Sequence, residues 1–179
     1  MKALIVIDMQ EDFVRGSLGS PEAQAIVPAV AAKVAEYKQS EEETIIIYTR
    51  DTHFPNYMET NEGFYLPVPH CIVNTHGWTI VPEVMTEGAE IVDKYTFGCY
   101  NLPNVVQDTA CRCYESWEVD SIEICGLCTD ICVISNALIL KSVYTDIPII
   151  VDSKCCAGVT PEKHAAALEV MRSCQIDVI

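Results

Sequence analysis

Six short segments of the chain are almost solidly apolar: Ala3-Leu4-Ile5-Val6-Ile7, Thr44-Ile45-Ile46-Ile47-Tyr48, Ile91-Val92, Ser121-Ile122-Glu123-Ile124-Cys125, Ile147-Pro148-Ile149-Ile150-Val151 and a final stretch from Gln175 to Ile179. Continuous rather than alternating apolar character is how a strand buried on both faces reads. Between them lie helical patterns. Ser20-Pro21-Glu22 supplies a cap, a proline at the first helical position and an acid in the first turn. Ala23, Ile26, Val27, Val30, Val34 and Tyr37 then recur on one face. Ile131 to Val143 reads as a second helix, and Thr160-Pro161-Glu162 opens a third that runs to about Cys174. Apolar strands alternating with helices predict an α/β fold: a doubly wound, six-stranded parallel sheet with helices on both faces. Ligands in such folds bind outside the carboxyl ends of the strands. Asp8, Asp51, Lys94 and the Gly126-Leu127-Cys128 turn each follow or end a strand, so they should share one rim.

One segment breaks the rhythm. The connection from 52 to 89 holds His53, His70 and His76, together with Pro55, Pro67, Pro69 and Pro82. Long connections in compact domains tend to be functional or disordered, and one this rich in His, Tyr and Pro reads as functional. No fixed-period repeat, low-complexity tract or Gly/Ser-rich linker divides the chain. Residues 1–179 are therefore expected to form one domain, with a metal- and substrate-binding region around 51–89.

Composition narrows the partners. Half of the 179 residues are hydrophobic and the mean hydropathy is +0.19, too apolar for a disordered chain. No run approaches the ~20 apolar residues of a membrane span, and Met1 leads directly into a strand-like run with no secretory leader. A net charge of −15 repels phosphate backbones, so neither nucleic acid nor a membrane is an expected partner. Ten cysteines fall below the ~8–10% that marks a small disulfide scaffold. A cytoplasmic location, where thiols stay reduced, is expected.

The question becomes which cysteine has chemistry. Cys132 lies in Gly126-Leu127-Cys128-Thr129-Asp130-Ile131-Cys132-Val133, a strand–turn–helix stretch. With Thr129 as cap, Cys132 falls in the first helical turn, where backbone N–H groups and the helix dipole should lower its pKa and could hold an oxyanion. A buried structural thiol is the competing reading. Cys125 and Cys128 form a C-x-x-C that could be a redox pair or half a zinc site, although the other half is missing. Asp8 can serve as a general base or simply form a turn, and Lys94 can orient it or be an ordinary surface lysine. Asp51, His53 and His70 make a carboxylate–imidazole set suited to zinc, manganese or iron, with Glu59 or Glu62 as a further ligand. His76 reads as part of a turn and His164 as a half-exposed surface residue.

In order along the chain, Ala3-Leu4-Ile5-Val6-Ile7-Asp8-Met9-Gln10-Glu11-Asp12-Phe13, Thr49-Arg50-Asp51-Thr52-His53, Pro69-His70-Cys71, Asp93-Lys94 and Gly126 to Val133 resemble the isochorismatase-like cysteine hydrolases, most closely the nicotinamidase branch. The resemblance implies a six-stranded parallel sheet and a catalytic triad of Asp8, Lys94 and Cys132. It implies a cis peptide between Leu127 and Cys128, and an oxyanion hole made by the Cys128 and Cys132 amides. It implies a divalent metal, zinc first with manganese or iron as alternatives, on Asp51, His53 and His70, with Glu62 as the better candidate for a fourth ligand. Phe13 matches one of two aromatics that sandwich the substrate ring. Tyr65 lies near the other but out of register. The implied reaction is hydrolysis of a small carboxamide, nicotinamide to nicotinate and ammonia, through a cysteine thioester. Alternatives are another small amide, such as a carbamoyl or ureido compound, or a thiol-redox or zinc module built on Cys125 and Cys128. A homo-oligomer is expected from the resemblance alone.

Overall fold

The computed structural model describes residues 1–115 and 118–179. Its elements in chain order are β1 (Lys2–Ile7), α1 (Glu11–Val14), α2 (Pro21–Gln39), β2 (Thr44–Asp51), α3 (Asn61–Tyr65), β3 (Glu90–Lys94), α4 (Leu102–Tyr114), β4 (Ser121–Leu127), α5 (Ile134–Val143), β5 (Ile149–Ala157), α6 (Pro161–Ser173) and β6 (Asp177–Val178). The strands form one six-stranded sheet in the order β3-β2-β1-β4-β5-β6, and every pairing is parallel. The direction of winding reverses between β1 and β4. Right-handed crossovers then put the β1–β2 connection on one face and the β3–β4, β4–β5 and β5–β6 connections on the other. In agreement, α2 packs across β2, β4 and β5, while α5 packs between α4 and α6.

The apolar runs end up where two-sided burial requires. Ala3 to Ile7 of the central β1 are all fully buried, as are Ile47 of β2, Ile122 and Ile124 of β4, and Ile149 and Val151 of β5. Helix α2 begins as its sequence indicates: the Ser20 hydroxyl accepts the Ala23 N–H at 3.0 Å, and Pro21 occupies the first position. Its buried face is Ala23, Ile26, Val27, Val30, Val34 and Tyr37. Thr160 caps α6 in the same way, through the Lys163 N–H.

Two elements exceed the sequence reading. Helix α4 was not anticipated, because its buried face is Leu102, Pro103, Val106, Thr109 and Ala110 rather than large aliphatics. Strand β5 continues past Val151 to Ala157 through the polar Asp152-Ser153-Lys154, with a register shift against β4 between Ile124 and Gly126. Among the described residues no helix is long and apolar enough to cross a membrane.

The polar segment of β5 answers a half-buried cation on α2. Lys33 Nζ lies 2.7 Å from Glu123 and 3.1 Å from Asp152, and the Tyr37 hydroxyl donates to Glu123 at 2.8 Å. Burial works against the Asp152 carboxylate, but the bond from Lys33 outweighs it and holds the group below its ordinary 3.8. Its stabilising contribution is therefore complete above 3.8 and is lost as pH falls through the lower folded value. Lys33→Met, which strands two carboxylates under α2, is expected to cost about 3 kcal/mol of unfolding free energy near neutrality. In urea titrations the gap to wild type should narrow as the medium is acidified. A gap that is absent, or that widens in acid, would contradict this assignment.

Candidate active site

The reversal of winding opens a crevice between the carboxyl ends of β1 and β4, and the rim residues meet there. Asp51 ends β2 directly opposite Lys94, the last residue of β3, and Ile7 of β1 pairs with Gly126 of β4. Asp8 follows β1 with a positive φ of 47°, a backbone state uncommon outside glycine. Gly126 has φ 117°, and a Cβ there would collide with the Ile7 carbonyl, so no other residue lets β4 approach β1 so closely at this level.

Lys94 is the centre of the site. Its side chain is 1% exposed. Its ammonium lies 2.7 Å from the Asp8 carboxylate, 3.3 Å from Asp51 Oδ1 and 3.5 Å from Cys132 Sγ. The Thr49 hydroxyl donates to Asp8 Oδ1 at 2.6 Å. Desolvation disfavours the Lys94 charge, but Asp8, Cys132 and Asp51 together raise its pKa well above the ordinary value, so it stays an ammonium. Burial is also the main reason that Asp8 is raised, partly offset by Lys94. The Cys132 thiol, fully buried and beside Asp8, is raised as well. This corrects the expectation that its pKa falls. A helix terminus contributes under ~1 kcal/mol at most exposed positions, whereas removing an anion from water costs several. With its pKa raised, the resting sulfur is held as a thiol beside Asp8, the carboxylate that can take its proton.

The stretch carrying Cys132 is held from three sides. Residues Thr129–Val133 form a single π-helical turn leading into α5, and the Leu127–Cys128 peptide before it is cis. Thr129 does not cap this turn; its hydroxyl meets His164 Nδ1 on α6 at 2.8 Å, so His164 buttresses the turn that carries Cys132. Asp130 accepts the Val159 N–H at 2.9 Å. Asn136, fully buried, donates to the Cys132 carbonyl at 2.7 Å and accepts the Cys99 N–H at 2.8 Å, tying the turn to the segment after Lys94.

On the other side of Asp51 sits a second cluster. One ligand atom each from Asp51, His53, Glu62 and His70 lies within 4.8 Å of all the others. His53 Nε2 is 2.9 Å from Asp51 Oδ2, and Glu62 Oε1 is 3.6 Å from His53 and 3.7 Å from His70. The α3 helix, capped by Thr60, delivers Glu62; Glu59 is exposed and outside the group. His70 Nδ1 is 2.8 Å from the Val68 carbonyl, which fixes the tautomer with Nδ1 protonated and Nε2 free to ligate. Burial opposes the Asp51 charge, but His53, His70 and Lys94 hold it well below the usual carboxylate range. Two carboxylates and two imidazoles of this kind fit a borderline divalent ion.

Two residues that the sequence reading quoted without assigning a role support this cluster. Gln10, fully buried, accepts the Asp51 N–H at 2.7 Å and donates to the Asp51 carbonyl at 2.9 Å. Asp12 accepts the Cys71 N–H at 2.8 Å, and Cys71, at φ 46°, follows His70. Both lie in the stretch just after β1, at the carboxyl edge of the sheet, which is the signal that could have found them.

Both clusters open on one cavity of about 300 Å³. Asp51, Glu62, His70, Cys128 and Cys132 line it, with Phe13, Leu66, Phe97, Leu127 and Ile131 as apolar wall. The Phe13 ring is 5.4 Å from that of His70. Tyr65 stands 78% exposed against Phe64, outside the cavity, so the sequence neighbour Leu66 takes the wall position. Cys125 is fully buried in the core, whereas Cys128 faces the cavity, and among the described residues the pair belongs to no metal-ligand group.

An all-parallel doubly wound sheet with a buried lysine between an aspartate and a cysteine at its switch point defines the class as a hydrolase of cysteine type. The isochorismatase domain model matches residues 2–179, and the chain belongs to that family. It is an amidohydrolase of this family. It is 28% identical over 193 residues to a nicotinamidase/pyrazinamidase of Mycobacterium tuberculosis, covering 100% of this chain and 98% of that one. It is 25% identical to a nicotinamidase of Saccharomyces cerevisiae over 77% of this chain and 80% of that one. The pyrazinamidase of Pyrococcus horikoshii, solved in complex with zinc, superposes with a TM-score of 0.80 at 29% identity, covering 99% and 98% of the two chains.

The cluster around Asp51 makes a direct prediction. Protein stripped with a chelator should take up one zinc ion per chain, and His70→Ala should weaken that uptake by more than about 100-fold in competition with a chromogenic chelator, beyond what outer partners of a ligand contribute. Equal affinity in the two proteins would remove the cluster as a metal site.

Proposed function

We propose that the protein hydrolyses a small aromatic carboxamide, with nicotinamide as the substrate, to the carboxylic acid and ammonia. The observation that carries this reading is the Lys94 ammonium, 2.7 Å from Asp8 and 3.5 Å from Cys132, with Cys132 lining one cavity together with Asp51, Glu62 and His70. In this reading residues 1–179 act as one catalytic domain, in the cytoplasm, where the thiol stays reduced.

Asp8 takes the Cys132 proton as the sulfur attacks the amide carbonyl. Lys94 keeps the developing negative charge compensated throughout, because its own proton is held by Asp8 and Asp51. The Cys128 and Cys132 amides receive the tetrahedral oxyanion; donors of this kind contribute about 3–4 kcal/mol each in other enzymes. Protonated Asp8 then donates to the departing ammonia, and water, again deprotonated by Asp8, releases the acid from the thioester. Phe13 packs on the aromatic ring. Asp51, His53, Glu62 and His70 would hold a divalent ion, zinc first with manganese or iron as alternatives, that supplies a Lewis-acid anchor for a ring nitrogen. Orientation by such an anchor lets a small substrate reach the sulfur in a productive pose.

The test is ammonia release from nicotinamide by the zinc-loaded protein, beside an open-chain ureido amide that has no ring nitrogen. Nicotinamide should be turned over and the ureido compound should not. Cys132→Ala should lower the rate by more than about 1,000-fold. Turnover of the ureido amide alone would reassign the substrate, and full activity in the variant would reassign the nucleophile.

A further inference from the structure

The cavity contains a second thiol that the hydrolytic cycle does not use. Cys128 and Cys132 both line it, and Cys128 is the less buried of the two. They are four residues apart across one tight turn, in which the Cys128 carbonyl accepts the Ile131 N–H at 3.0 Å and the Val133 N–H at 3.1 Å. These two bonds fold the π-helical turn back on the Cys128 carbonyl and keep Cys132 on the same closed turn as Cys128, and a disulfide needs Cα atoms roughly 4.4–6.8 Å apart. The surroundings that make Cys132 reactive act on any small electrophile entering the cavity. Asp8 can take its proton, and Lys94 stands beside its sulfur. None of the other eight cysteines lines this cavity, and Cys71, Cys125 and Cys156 are closed in the core.

We propose that Cys128 is a resolving thiol, and that the pair is a site of reversible oxidation by hydroperoxides. The Cys132 sulfur attacks a peroxide oxygen; an S–O bond forms, the O–O bond breaks, and the leaving hydroxide takes up the thiol proton as water. The Cys128 sulfur then attacks the resulting sulfenic acid. An S–S bond forms, the S–O bond breaks, and the Cys128 proton leaves with the hydroxyl as a second water. The two thiols are oxidised by two electrons and hydrogen peroxide is reduced to two waters. A dithiol reductant reverses the step. The disulfide shields the nucleophile from the irreversible sulfinic and sulfonic states. The effect on activity rests on Cys132 being the nucleophile; formation of the disulfide does not.

The experiment treats zinc-loaded protein with excess hydrogen peroxide, then measures intact mass, the linkage after cleavage before Asp130, and hydrolysis before and after dithiothreitol. Cleavage at that position separates Cys128 from Cys132, so a disulfide would keep the two fragments joined. Wild type should lose two hydrogens, yield the joined fragments, and recover its starting rate on reduction. Cys128→Ser, compared only with its own untreated rate, should gain oxygen instead and recover about tenfold less. Wild type that gains oxygen without fragment linkage, or a serine variant that recovers as fully as wild type, would overturn the proposal. Linked fragments in wild type with hydrolysis undiminished would uphold the disulfide and refute Cys132 as nucleophile, so the two claims fail separately.

Discussion

A lysine ammonium buried to 1% exposure persists only where anions compensate it, since stripping water from such a charge costs several kcal/mol. Lys94 meets this condition with Asp8 at 2.7 Å and Asp51 at 3.3 Å. Each of the three stands at or just beyond the end of a different strand, so the compensation depends on the parallel register that puts Asp51 opposite Lys94 and β1 beside β2. The same charge lies 3.5 Å from the Cys132 sulfur. Burial alone would make that sulfur inert. Beside Lys94, a sulfur anion formed there would have a partner, which separates this cysteine from the others in the core.

Asp51 joins two halves of the site. Its Oδ1 faces Lys94 at 3.3 Å, and its Oδ2 faces His53 at 2.9 Å. Its backbone is fixed at both polar atoms by Gln10, which follows Asp8 by two residues. The carboxylate that belongs to the candidate metal-binding group is therefore also part of the lysine's counter-charge. Replacement of Asp51 should disturb both halves at once, whereas replacement of Glu62 or His53 leaves the charges nearest Lys94 in place. Cys132 of one half and Glu62 and His70 of the other line the same cavity.

Much of this was legible in the sequence because it depends on strand ends. Solid apolar runs indicated two-sided burial, two-sided burial indicated a parallel sheet, and a parallel sheet gathers Asp8, Asp51, Lys94 and the Gly126 turn on one rim. What was not legible depended on contacts between segments remote in sequence. Helix α4 hides its face behind Pro103, Thr109 and Ala110, and β5 runs on through Asp152 because Lys33 of α2 answers it. His164 reads as half-exposed in a helix of Ala and Leu, and it is; its contact with Thr129 beneath the turn that carries Cys132 is what the sequence does not show. The thiol's acidity was misjudged because a helix terminus is visible in sequence and desolvation is not. Tyr65 lay one residue from the cavity wall, and at a short helix's end one residue decides which side chain faces in.

The central claim is that, of the ten cysteines, Cys132 is the one whose chemistry turns over substrate. Limiting iodoacetamide, itself a small amide able to enter the cavity, can be titrated into the zinc-loaded protein, with alkylation of each cysteine mapped against residual hydrolysis. The account predicts that activity falls in proportion to alkylation of Cys132 and that nicotinamide slows both together. Activity that survives complete alkylation of Cys132, or that instead tracks an exposed thiol such as Cys113, would contradict it.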